Sequence, residues 1–232
     1  MEHIRQRFAQ HSWQPLIAYI VLLHLAWILT WLLFLGLKNT VLPTLGDESI
    51  AGVWWFLAHF SVWLPPVFAY IYWIEGENPL VYLRLTSKIS RGMIWGILSS
   101  TLIPLLAWIL PNGKPEPVYC NQLWLLFGSS LAAPITEEIV FRGFLLEQLR
   151  VRLGFPFASL ISSILFFTIH IIGWAFSGNF PSLNQLLLLA VNLIVFGIAL
   201  CYFNRVSGSL FTSILYHWCN NFFFRRLPCF FP

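Results

Sequence analysis

Six side chains set inside apolar stretches carry the chemical potential of this chain: Glu137, Glu138, Arg142, His170, His217 and Asn221. Ionisable groups are costly in such surroundings and are functional candidates by default. Helix geometry puts residues four apart on one face and turns neighbours by about 100°. Glu138 and Arg142 are therefore stacked and can pair along one helix, which lowers the cost of burying both. Glu137 has Phe141 at that offset, so its own helix offers it no ionic partner. Its carboxylate must be neutral, hydrated or held by groups on other helices. Phe166 shares a face with His170, and His217 shares one with Asn221. A carboxylate base, an imidazole that orients water, and an imidazole and amide that donate hydrogen bonds are the parts needed to hydrolyse an amide. His24 and His59 have no polar neighbour at helical spacing and read as packing histidines.

The elements that must position these groups are membrane helices. Of 232 residues, 58% are hydrophobic and 9% charged, against about 25% charged in soluble domains. The expected fold is all-α, a polytopic transmembrane bundle of about seven spans. Twelve Trp and 22 Phe fit interfacial belts and lipid-facing surface. Net charge is +4, but no basic patch with interleaved aromatics suggests nucleic acid. Cys120, Cys201, Cys219 and Cys229 form no CxxC pair and read as free thiols. The first apolar segment has no small-residue cleavage site and reads as a retained helix.

The expected spans are Pro15 to Leu37, Ile50 to Ile74 with a kink at Pro65-Pro66, Gly92 to Leu110, Gln122 to about Arg150, Pro156 to Phe176, Gln185 to Phe203, and a short last helix, Leu210 to Phe224. Leu80 to Ile89 reads as a surface piece, and Pro111 to Asn121 as a loop. A cytoplasmic N-terminus puts Arg5, Arg7, Arg84, Lys88, Arg91, Arg150, Arg152 and Arg205 inside, and Lys38 and Lys114 outside. Arg225-Arg226 is the exception to this order. The expected location is the plasma (inner) membrane. Three regions result: helices and loops without a matched motif over 1–121, a helical core over 122–224, and a tail over 225–232.

Three motifs carry a resemblance. Glu137-Glu138-Ile-Val-Phe-Arg142 matches EExxxR, Phe166-Phe-Thr-Ile-His170 matches FxxxH, and His217-Trp-Cys-Asn-Asn221 matches HxxxN. In this order on successive apolar segments they resemble the CPBP intramembrane proteases, which include the type II CAAX prenyl endopeptidases and the bacteriocin-processing or self-immunity (Abi) proteins. The likeness spans roughly Gln122 to Phe224. It implies that Glu137 and His170 activate a water, that His217 and Asn221 hold the oxyanion, and that Glu138, Arg142 and Phe166 support them. It implies a peptide or protein substrate, with a lipidated chain, a membrane-anchored precursor and a processed peptide all open, and membrane lipid around it.

Two cofactor readings stand. Glu137, His170 and His217 are two histidines and a carboxylate, a known catalytic zinc set. Asn221 beside His217 suits an oxyanion hole better than a ligand shell, which favours a metal-free glutamate mechanism. Other membrane protease types fit poorly. The chain has no HExxH, and its one aspartate, Asp47, lies in an expected loop. Neither Ser129 nor Ser163 makes a convincing nucleophile, and Cys219 has no base at helical spacing. The competing classes are a non-catalytic membrane scaffold or immunity protein of the same fold, and a proton-coupled transporter. The full polar set argues against the first, and the lack of a second symmetric half against the other.

Overall fold

The computed structural model describes residues 12–40, 47–101 and 123–224. Among these residues every regular element is helical. In chain order they are α1 (Trp13–Thr40), α2 (Asp47–Ala58), α3 (Leu64–Tyr70), α4 (Pro79–Tyr82), α5 (Ile89–Ser100), α6 (Leu123–Glu138), α7 (Leu146–Leu153), α8 (Phe155–Ser177), α9 (Leu183–Ser207) and α10 (Phe211–Phe224). Three π-helical turns, His59–Trp63, Ile71–Glu75 and Ile139–Leu145, interrupt the longer runs.

Four runs are long and apolar enough to cross a membrane by length and composition: Trp13–Thr40, Gly52–Glu75, Phe155–Ser177 and Leu183–Ser207. They correspond to the expected first, second, fifth and sixth spans. The third is described as Ile89–Ser100, and the expected loop after it lies outside the described residues. The fourth carries the charged pair and continues through the π turn into the polar α7. The last, α10, has 14 residues, about 21 Å of helix, short of a ~30 Å hydrocarbon core. The basic residues Arg5, Arg7, Lys114, Arg225 and Arg226 fall outside the described residues.

Local sequence explains the breaks. Pro65 and Pro66 sit in the first turn of α3, directly after the turn His59–Trp63. A proline lacks the N–H for the i−4 carbonyl and its ring collides with it. Widening the preceding turn relieves that clash, and it is this turn that holds His59. At α9, Gln185 Oε1 accepts from Ser182 N at 2.9 Å within a capping box, which fixes the helix start.

Small residues set the closest helix approach. A Cβ on Gly96 would lie 2.7 Å from Leu215 Cβ. Gly92, one turn earlier, lies equally tight against α10, and Thr212 Oγ1 donates to its carbonyl at 3.3 Å. Such a small-xxx-small face lets membrane helices pack backbone to backbone. Here it seats α10, the helix of His217, on α5. On the other side an aromatic block of Trp27, Trp55, Trp63 and His59 locks α1 to the second span, with Trp27 and Trp63 edge to face at 5.1 Å. Each such pair adds ~0.5–1.5 kcal/mol beyond burial.

Candidate active site

The acidic pair stands at the end of α6, where the π turn begins. Arg142 Nη1 donates to Glu138 Oε1 at 3.0 Å, and both side chains are fully buried. The pairing expected along the helix therefore forms. The guanidinium also lies 4.2 Å over the Phe166 ring of α8, a cation–π contact in a desolvated site. Room for the guanidinium comes from Gly197 on α9: a Cβ there would sit 3.0 Å from Arg142 Nη2 and 2.6 Å from Ser163 Oγ. The π turn is held from α8 by Ser162 Oγ, which donates to Phe141 O at 2.7 Å.

His217 joins both glutamates. Its Nδ1 donates to Glu138 Oε1 at 2.9 Å. A carboxylate paired to arginine is ionised and only accepts, so the proton belongs to Nδ1. The other ring nitrogen, Nε2, lies 3.7 Å from Glu137 Oε2. Glu138 thus fixes the tautomer of the imidazole that faces Glu137.

A second imidazole meets Glu137 from the other side. His59 Nε2 lies 3.9 Å from Glu137 Oε1. Its Nδ1 donates to Trp55 O at 2.7 Å, because a carbonyl can only accept. Each Glu137 oxygen therefore faces an imidazole nitrogen whose partner nitrogen holds the ring proton. A carboxylate oxygen and an unprotonated imidazole nitrogen both accept, so a donor between them would serve both. Separations of 3.7 and 3.9 Å exceed a direct bond and suit a bridging water.

His170 enters through Phe166. Its Nδ1 donates to Phe166 O at 2.7 Å, and its ring packs on Phe166 at 4.6 Å between centroids. Phe166 in turn meets the His217 ring at 5.8 Å. Phe166 is buried and is the common wall of Arg142, His170 and His217. Asn221 lies one turn beyond His217 on α10, half-buried.

His59, which reads as a packing histidine from sequence, instead faces Glu137. Helical spacing on its own segment could not reveal its partner, because Glu137 is 78 positions away. The available signal was its presence as one of four histidines within apolar spans. His24 does behave as a packing histidine: Nδ1 donates to Ile20 O at 2.8 Å, and Nε2 meets Thr168 Oγ1 of α8 at 3.0 Å.

Among the described residues no three His, Cys, Asp or Glu side chains gather closely enough to hold a metal ion. The described donor set, as arranged, does not fit a zinc shell.

Residues 119–223 match the family model described as Type II CAAX prenyl endopeptidase Rce1-like. The match covers the same stretch as the three motifs and bears out the resemblance to CPBP proteases. It implies a peptidase of the membrane. No curated protein and no solved structure matches the chain.

Proposed function

We propose, from the family match over residues 119–223, that this protein is an intramembrane endopeptidase that hydrolyses a peptide bond with a water activated by Glu137. The observation that carries the reading is the placement of Glu137 between the ring nitrogens of His217 and His59, at 3.7 and 3.9 Å. A water there donates one hydrogen to the carboxylate and a second to His59 Nε2. Glu137 takes the water proton as its oxygen attacks the scissile carbonyl. The tetrahedral oxyanion is held by Asn221 Nδ2 and by His217 Nε2. His217 enters and leaves the cycle as the imidazolium, its second proton taken up from solvent, and ionised Glu138 at 2.9 Å supports that cation. The C–N bond breaks as Glu137 passes its proton to the leaving amine. One water is consumed, and a carboxylic acid and an amine are released.

In this scheme His170 orients the water or the substrate carbonyl from the Phe166 side. Its ring proton is on Nδ1, so Nε2 is an acceptor for a water hydrogen. Glu138, Arg142 and Phe166 are positioning residues. The substrate is a peptide or protein tethered at the membrane, and the mechanism is free of metal. We place the enzyme in the plasma membrane with its N-terminus inside, following the distribution of basic residues.

The test uses the full chain in detergent with lipidated and unlipidated peptide libraries. Wild type should cut a subset of peptides, while Glu137→Ala and His217→Ala should lose ~10²-fold or more in rate. Equal cleavage by all three, or none by any, overturns the proposal.

A further inference from the structure

Arg142 also borders a cavity of about 390 Å³ whose lining includes neither Glu137 nor Glu138. That volume lies within the ~300–1,000 Å³ of small-molecule sites. The cavity sits at one end of the bundle. It is bounded by the start of α8 at Gly154 and Phe155, the end of α9 at Asn204 and Arg205, and the chain around Tyr82 to Arg84. Two of the four candidate spans meet it, Phe155–Ser177 at its start and Leu183–Ser207 near its end. The ends of membrane-spanning helices come to the level of lipid headgroups.

The lining is rich in hydrogen-bond donors. Four buried atoms of lining residues have no hydrogen-bond partner among the described residues: Arg142 Nε, Arg142 Nη2, Asn204 Nδ2 and Ser209 Oγ. Arg142 is 3% exposed and Ser209 1%. Glu138 uses only Nη1 of Arg142. The Nε–Nη2 edge remains, and that edge is the fork that grips two oxygens of one anion. The Cys201 thiol approaches this guanidinium, but a thiol is a weak acceptor. The Asn204 carbonyl oxygen is already taken by Ser213 N at 3.3 Å, so its amide N–H₂ is what remains to donate.

The rim is positive as well. Arg84, Arg150 and Arg205 line the cavity, against one carboxylate, Glu147. Glu147 is held by Arg150 at 2.7 Å and Arg84 at 3.5 Å, which leaves the rim with an excess of cation. Arg84 keeps a left-handed backbone, φ 55°, a strained conformation for a residue with a Cβ. Beside the mouth the flanking helices are apolar and exposed: Phe157 on α8, and Tyr202 and Val206 on α9. The Arg205 guanidinium lies 4.3 Å over the Phe155 ring, at the border of the two surfaces.

Buried donors at headgroup level, a cationic rim and an adjoining greasy face fit one kind of ligand. We propose that this cavity binds the phosphate of an anionic phospholipid, with the acyl chains against α8 and α9. Basic pockets between helices at a membrane surface hold anionic headgroups in this way. The inference stands apart from the peptidase reading, because neither Glu137 nor a substrate takes part in it.

The experiment is a lipid titration followed by native mass spectrometry on the delipidated full chain in detergent. The probes are phosphatidylglycerol, phosphatidylcholine and inorganic phosphate. Arg84→Gln/Arg205→Gln is the test variant, and its folding is checked by size exclusion and thermal unfolding. A 1:1 phosphatidylglycerol complex should form, weaken with salt and weaken roughly tenfold or more in the variant. Phosphatidylcholine should bind more weakly, since its choline offsets the phosphate charge. If phosphatidylglycerol binds no better than phosphatidylcholine, or equally well to the folded variant, the proposal fails. Binding of inorganic phosphate with no lipid preference also overturns it, leaving a plain anion site. Peptide cleavage by the same variant separates the two readings, because loss of lipid binding does not require loss of Glu137 chemistry.

Discussion

His217 donates from Nδ1 to Glu138 at 2.9 Å, and through that one bond the supporting glutamate sets the protonation of the ring that faces its neighbour, Glu137. The two adjacent carboxylates therefore have different work. Glu138 is neutralised by Arg142 and shared with His217. Glu137 is presented to imidazole nitrogens on two other segments.

Removing one member of the buried Glu138–Arg142 pair should cost stability out of proportion to its size. Glu138→Ala leaves a guanidinium uncompensated in a dry site, worth about 3–5 kcal/mol. The double change Glu138→Leu/Arg142→Met should recover most of that stability and none of the peptide cleavage. Unfolding midpoints of wild type and the two variants in one detergent check this. A double variant as unstable as the single would mean the pair is not the stabilising unit.

His59 and His24 should separate in function although both bond the carbonyl four residues back. His59→Ala should reduce turnover roughly tenfold or more with a small change in unfolding temperature, because its Nε2 faces Glu137. His24→Phe should leave turnover within about twofold and cost only the ~1 kcal/mol of its hydrogen bond to Thr168. Steady-state kinetics on both, with matched substrate, give the comparison.

Bulk at the close-approach glycines should act on the site from a distance. Gly197→Val presses on Ser163 and Arg142, and Gly96→Leu pushes α10 off α5. Each should destabilise by about 1–3 kcal/mol. Gly36, with nothing within 4 Å of its added Cβ, should tolerate Gly36→Ala and serve as the control in the same thermal series.

Cleavage should persist after dialysis against a strong chelator. The reason is the donor geometry: among the described residues no three ligating side chains gather closely enough to hold a metal ion. Activity lost on chelation and restored by zinc would replace the glutamate mechanism with a metal one.

Much of the site was legible in the chain itself. Membrane class follows from composition, since 9% charge cannot cover a soluble domain. The Glu138–Arg142 pair follows from the helical repeat, which fixes which side chains are neighbours within one turn. The three motifs follow from spacing of the same kind. Tertiary structure decided what spacing cannot reach. That Glu137 is met by His59 depends on a proline-induced π turn and on an aromatic block packing α1 against the second span. That Glu138 is shared with His217 depends on glycines that let α10 close on α5. The donor-lined cavity depends on the ends of several helices meeting at one level. Periodicity reports contacts within a helix, whereas contacts between helices depend on how side chains from distant segments fill shared space, and no single segment encodes that.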